Sequence, residues 1–406
     1  MRVEEASNRR KFLSVSALAG VLSACGGGKE TAVEDEGPSR LGRPVSAYGE
    51  RSAHVKLARA FRDSANPEAA ASFTPLQDLD GIITPASLHF ERHHAGVPQI
   101  DPEKHELLLH GMVDRPLMFT LADLRRLPSE SHVYFIECSG NSGGEWGAKT
   151  TPDPQRGFGL ASCSEWTGVP LRTLLEEAGV KPGASWVIAE GNDACRMMRS
   201  IPMAKAMDDI LVAYSQNGEP LRPEQGFPLR LVVPGWEGNI NVKWLRVLKV
   251  ADQPYMAKDE TSKYTDLMPD GKARIFTFVM EAKSIITFPA GGRKLSGPGL
   301  YEITGLAWSG RGRIEKVEVS TDGGKSWTAA RLQEPRHRIA FTRFRLPWRW
   351  DGGEAMLQSR CTDESGYVQP SKEELVAARG TGSNYHFNGI KPWKISADGS
   401  VTNVDA

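Results

Sequence analysis

Apolar and polar positions along this chain follow different rhythms in different stretches. From about residue 48 to 281 the rhythm is mixed. His105-Glu106-Leu107-Leu108-Leu109-His110-Gly111 reads as a strand, 229–234 as a buried strand carrying one arginine, and 242–250 as another. Residues 170–179 read instead as a helix, stopped by Gly179-Val180-Lys181-Pro182. Beyond 283 the helical periodicity fades. Residues 300–308 and 314–320 alternate, Asp322-Gly323-Gly324 is a hairpin turn before 327–329, and 341–350 and 356–361 continue the pattern. Short strands at this spacing predict an antiparallel β-sandwich of about 100 residues. The change of texture falls at 285–294. The predicted fold class is therefore α+β, with a mixed domain over 48–284 and an immunoglobulin-like antiparallel β-sandwich over 285–406. No repeat of roughly 20–50 residues is visible, which argues against a solenoid or propeller.

The first residues have a third pattern. Asn8-Arg9-Arg10-Lys11-Phe12-Leu13 is a twin-arginine pair before an apolar stretch over 13–24. About twelve residues fall short of the roughly 20 that span a bilayer as a helix. A charged start, a short apolar region and small residues describe an export signal, and paired arginines favour the twin-arginine route. Leu22-Ser23-Ala24-Cys25 also has the form of a lipoprotein signal. We expect a signal peptide over 1–25, with lipid anchoring through Cys25 as an option. A polar, Gly-rich tether over 26–47 and a periplasmic working compartment would follow.

Composition narrows the function. The 406 residues carry 50 Lys plus Arg and 50 Asp plus Glu, and this balance argues against a general nucleic-acid binder. Hydrophobic residues at 40% and charged ones at 25% suit a globular chain with a sizeable core. Forty-one Gly and 26 Pro agree with a turn-rich, β-rich build. The five cysteines include no C-x-x-C, so disulfide-dense scaffolds and common zinc or iron–sulfur spacings are excluded; without C-x-x-C-H the chain carries no c-type haem.

The informative chemistry lies in Phe135-Ile136-Glu137-Cys138-Ser139-Gly140-Asn141-Ser142-Gly143. A cysteine ends an apolar strand and enters a loop of small residues, where backbone can approach a ligand closely. By itself such a thiol could be a buried inert group, a nucleophile or a soft metal ligand. Its company is more specific. Phe90-Glu91-Arg92-His93-His94, Glu137-Cys138-Ser139-Gly140-Asn141, Glu165-Trp166-Thr167-Gly168-Val169-Pro170-Leu171, Asn217-Gly218-Glu219-Pro220-Leu221, Gly226-Phe227-Pro228-Leu229-Arg230 and Val242-Lys243-Trp244-Leu245 occur in that order. Together they resemble the motifs of the sulfite oxidase family of molybdenum enzymes, over essentially the whole mature chain. Ser320-Thr321-Asp322-Gly323-Gly324 with Trp327 resembles that family's dimerisation domain.

The resemblance implies a molybdenum–molybdopterin cofactor, with Cys138 as the thiolate on the metal. It implies that Arg92, His93, His94, Gln225, Arg230, Asn241, Val242 and Lys243 hold the anionic cofactor or substrate, with Asp193 aligned across a gap. Tyr264 takes the place of the family's active-site tyrosine, beside Arg92 and Cys138 as the catalytic group. Each has a plainer reading: Arg230 could face a buried carboxylate, Lys243 could lie along a sheet edge, and Tyr264 could pack a loop. Cys163, Cys195 and Cys361 read as small core residues.

Two departures refine the expectation. Glu165 stands where animal and plant members have a substrate-binding arginine, which would weaken attraction for free sulfite. No haem domain flanks the motifs. Both features, with Gly235-Trp236-Glu237-Gly238-Asn239, resemble the branch that forms the molybdenum subunit of periplasmic sulfane dehydrogenase. That branch implies oxo transfer to sulfane sulfur on a carrier protein and a dihaem c-type cytochrome as electron acceptor. It also implies a homodimer through the carboxy-terminal domain, giving a heterotetramer. The alternatives are a dehydrogenase of free sulfite and a metal-free docking module for a sulfur carrier or cytochrome.

Overall fold

The computed structural model describes residues 44–147 and 151–404. The expected signal peptide, and the tether up to residue 43, lie outside the described residues. Residues 44–55 form a unit of their own without helix or strand. The account below concerns the chain from Lys56 onward. Among the described residues no helix is long and apolar enough to cross a membrane.

The first part holds two five-stranded sheets. One runs in the order Leu117–Thr120, Glu106–Gly111, Leu245–Ala251, Trp186–Gly191, Met198–Pro202; its pair 106–111 with 245–251 is parallel and the other three are antiparallel. The other runs Glu219–Pro220, Leu211–Gln216, Ala161–Pro170, Glu130–Glu137, with Arg230–Val232 also on Leu211–Gln216. The predicted helix is Leu171–Ala178, which buries Leu171, Leu174, Leu175 and Ala178 as one stripe and ends at Gly179 with φ 72°.

The strand expected over 242–250 begins only at Leu245. Trp244 sits at φ 53°, a left-handed conformation that no strand continues, so Val242 and Lys243 leave the sheet and turn toward the site described below.

The second part is the predicted sandwich. Lys283–Phe288, Gly299–Trp308, Thr342–Trp350 and Arg331–Leu332 form one sheet; Thr328–Ala329, Ile314–Ser320, Ala355–Asp363, Trp393–Ile395 and Val401–Asn403 form the other. All pairs are antiparallel, so the fold is α+β with a carboxy-terminal β-sandwich. A single buried cluster joins both parts. Phe135, Ile136 and Trp166 from the first sheet system pack in it with Ile285, Leu306, Trp308 and Phe341 from the sandwich. Cys163 and Cys361 lie in this core, as expected of them. Cys195 does not. It is exposed, in the loop after Trp186–Gly191, and its thiol donates to Asp193 Oδ2 at 2.8 Å. The hydrogen bond to the buried Asp193 carboxylate holds it at this loop rather than in the core.

Candidate active site

The strand Glu130–Glu137 becomes fully buried over its last four residues, Tyr134 to Glu137, and delivers Cys138 at its end. The Cys138 amide still donates to Leu160 O at 2.9 Å, and the chain then turns back, with Asn141 N–H donating to Cys138 O at 2.8 Å. Gly238 packs against this turn so closely that a Cβ there would lie 2.9 Å from Glu137 O and 3.2 Å from Cys138 Cα. The thiol is half-buried. Burial pushes its pKa up, opposed by the Gly140 amide that hydrogen-bonds it and by the charge of Arg92.

Cys138 stands where two cavities meet. The inner one has an empty volume of about 450 Å³ and brings together Arg92, His94, Gln225, Arg230, Asn241, Lys243 and Tyr264 with His89 and Asn239. A side branch adds His93, Asp193 and Val242. The outer one opens to about 1660 Å³, with Arg62, Lys263, four glycines and the segment of Thr381, Ser383, Asn384 and Tyr385 on its walls. Every site residue expected from the sequence therefore lines the inner cavity or its branch.

The inner cavity is cationic. Arg230 is 2% exposed and bonds only oxygens of neutral groups, Gln225 O at 3.0 Å and Asn241 O at 3.4 Å, with its guanidinium 4.7 Å from the Trp166 ring centre. Among the described residues it faces no buried carboxylate. Burial brings its pKa down to about 9. An isolated bridge pairs Arg230 with Lys243, setting two cations side by side. Lys243 turns inward rather than along a sheet edge, its Nζ 2.8 Å from His93 Nδ1 and 3.0 Å from Glu224 O. Burial and the charge of Arg230 lower it to about 7. Glu91 bonds His93 at 2.8 Å and pairs with Arg59, which anchors the two-residue strand Glu91–Arg92.

At the junction of the cavities, Tyr264 Oη lies 2.7 Å from His94 Nε2, and the Arg199 guanidinium sits 5.4 Å from the Tyr264 ring centre. Burial raises the Tyr264 pKa, so the phenol stays protonated, and burial with Arg92 lowers His94 to about 4, so the imidazole stays neutral. Tyr264 is thus more than loop packing. Asp193 spends its oxygens on its own loop, accepting from Cys195 and from Met197 N–H at 3.2 Å.

Two expectations change. Glu165 is exposed, with its amide donating to Asn217 Oδ1, and it lines neither cavity at Cys138. Its charge therefore lies away from the thiol, and the argument that it weakens attraction for sulfite falls. Sequence reasoning also missed the segment 381–385, which closes the outer cavity and sets the Tyr385 ring 5.4 Å from that of Tyr264. Its one local trace is Gly143, where a Cβ would lie 2.7 Å from Asn384 O.

A molybdenum–pterin cofactor fits these residues. Arg92 Nη1, Arg230 Nε and His89 Nε2 are buried without a hydrogen-bond partner among the described residues, and all three residues line the inner cavity. Two buried guanidinium groups with unused donors call for an anion. One sulfur stands at the cavity's open end, and among the described residues no group of three or more His, Cys, Asp or Glu is placed to hold a metal ion. A soft metal carried by an anionic organic ligand, with one protein thiolate, matches that donor set.

Comparison with known proteins agrees. Residues 94–258 match the oxidoreductase molybdopterin binding domain, and 274–391 match the Mo-co oxidoreductase dimerisation domain. The mitochondrial sulfite oxidase of Drosophila melanogaster is 33% identical, across 89% of this chain and 66% of that protein. Sulfite oxidase of Gallus gallus is 32% identical, across 71% of this chain and 68% of that protein. The chain spans only 35% of a nitrate reductase of Phaseolus vulgaris, at 33% identity. Among solved structures, the sulfane dehydrogenase SoxCD from Paracoccus pantotrophus superposes with a TM-score of 0.89 and 46% identity, covering 94% of this chain and 100% of that one.

Proposed function

Because the chain belongs to the sulfite oxidase family of molybdopterin oxidoreductases, we propose that it oxidises sulfane sulfur held on a carrier protein. Electrons would pass to a c-type cytochrome subunit, in the periplasm. One observation carries this reading: a half-buried thiol at the foot of a wide cavity with glycine walls, backed by a cationic inner chamber. Gly140, Gly143, Gly144 and Gly147 leave room for a polypeptide arm with a sulfur at its tip. The likeness to a sulfane dehydrogenase at 46% identity, against 33% for a sulfite oxidase, points the same way. The twin-arginine pair supports export, and the dimerisation domain supports a homodimer.

The cofactor would supply a redox-active oxygen-transfer centre that takes two electrons for each oxygen delivered to sulfur. Conversion of a sulfane to a sulfonate needs three such deliveries, with water as the oxygen source. The chain's own residues bind and orient. Arg230 and Lys243 hold the anionic end of the cofactor, and Arg92, whose Nη1 has no partner among the described residues, lines both cavities that meet at Cys138. Tyr264 stays a neutral donor. With His94 neutral, either tautomer leaves the phenol oxygen one further hydrogen bond toward the cavity. Burial of these groups means their dipoles and charges are set before substrate arrives.

A second reading, oxidation of free sulfite, is favoured by Arg62 and Lys263 on the outer walls, cations that would attract a small dianion. Turnover of sulfite and of persulfidated carrier at matched cytochrome separates the two; preference for sulfite would overturn the first. A Cys138→Ser variant should keep its fold and pterin but lose oxidation. Sustained turnover by a metal-loaded Cys138→Ser protein, or a wild type that matures without molybdenum, would refute the assignment.

A further inference from the structure

Side chains that no step above uses hold the cysteine loop from the sandwich side. Glu137, directly before Cys138, is 0% exposed. Its Oε1 accepts from Lys283 Nζ at 2.6 Å and from Asn141 Nδ2 at 2.9 Å, and its Oε2 accepts from Trp308 Nε1 at 2.7 Å. Lys283, itself buried, also donates to Ser142 Oγ at 3.3 Å. Ser142 is the loop residue in the left-handed conformation, at φ 62°. Lys283 and Trp308 face each other as register partners in neighbouring sandwich strands. Asn141 passes the restraint onward, since its Oδ1 accepts from Leu160 N–H at 3.1 Å. At the loop's far end Glu145 accepts from Lys391 Nζ, also from the carboxy-terminal part, at 2.6 Å.

We propose that Glu137 and Lys283 are positioning residues that fix the Cys138 sulfur and balance the electric field at it. The proposal rests on Cys138 being the metal-binding thiolate. Two opposite charges in a buried site cancel at a neighbouring sulfur only while both are present. Without Lys283 the carboxylate stands unbalanced one residue from the sulfur, which favours the oxidised state of a metal bound there. Without Glu137 the ammonium stands unbalanced and favours the reduced state. A purely structural clamp has no such sign.

The test uses wild type, E137Q, K283M and E137Q/K283M, each matured with cofactor. It reads molybdenum content, the energy of the thiolate-to-metal charge-transfer band, and the reduction potential. The potential should rise in E137Q, fall in K283M, and return toward wild type in the double variant, which removes both charges and keeps an acceptor for Trp308. In cofactor-free protein, amide exchange over 139–146 should speed up by about tenfold or more in K283M and not elsewhere. Equal or same-direction shifts in the two single variants, or unchanged exchange, would overturn the proposal. If the single variants do not load, the double variant decides: loading with a near-native potential supports the balance, and failure to load overturns it. Absence of molybdenum in the wild type would instead refute the role given to Cys138, and this inference with it.

Discussion

Replacing Lys243 with methionine should remove a pH dependence from the stability of the cofactor-free protein. Lys243 Nζ is held by His93 Nδ1 at 2.8 Å and Glu224 O at 3.0 Å, and burial followed by the charge of Arg230 lowers it from 10.5 to about 7. Glu91 and Asp193 pull the other way without restoring it. The folded protein therefore binds fewer protons at this site than the unfolded chain between about pH 7 and 10.5. Stability must rise with pH across that window and stay flat below it. The full span corresponds to about 5 kcal/mol, at 1.36 kcal/mol per pKa unit. Between pH 7 and 9 the gain is about 2 kcal/mol. His89 and His94 are also lowered, to about 3 and about 4. Their contributions are complete near the ordinary histidine value, below this window, and both proteins contain them. Urea unfolding of wild type and K243M at steps from pH 7 to 9 gives the difference directly. A difference that stays constant within about 0.5 kcal/mol across those steps would show that Lys243 is not held down, and the cationic chamber would need another explanation.

Tyr264→Phe removes the hydroxyl 2.7 Å from His94 and should lower turnover about a hundredfold or more, with the unfolding midpoint nearly unchanged; steady-state kinetics beside urea unfolding would show it. Gly143→Ala sets a Cβ 2.7 Å from the backbone oxygen of Asn384, so the segment 381–385 must move. A loss of about 1–3 kcal/mol and a raised KM for the sulfur substrate are expected, read by unfolding and initial rates.

Much of this site was legible because its parts carry their signals locally. Cys138 at a strand tip, Arg230 in an apolar run and Lys243 before Trp244 can each be noticed within a few residues, and the fold brings them to one inner cavity. Tyr385 could not be found so. It reaches Tyr264 only through the packing of the carboxy-terminal part on the loop after Cys138, and nothing in Ser383-Asn384-Tyr385-His386 announces a partner some 120 residues earlier by. Glu165 failed for the converse reason. Alignment gave its position in the sequence, but period-two alternation in Ala161–Pro170 turns neighbouring side chains to opposite faces, with Trp166 inward and Glu165 outward. The end of the strand expected over 242–250 was readable, and its start was not, because Trp244 adopts φ 53° where the pattern of side chains alone continues a strand.

The grip of Lys283, Asn384 and Lys391 on the loop after Cys138 has a consequence for how the protein is made. Synthesis runs from the amino terminus, so the ribosome completes Arg92, Cys138, Arg230 and Lys243 long before Lys391 emerges. A nascent chain would carry nearly every group proposed to recognise the cofactor while lacking the groups that hold the Cys138 loop. Stable insertion of the cofactor is therefore expected only once Lys283, Asn384 and Lys391 have been made and have packed on that loop.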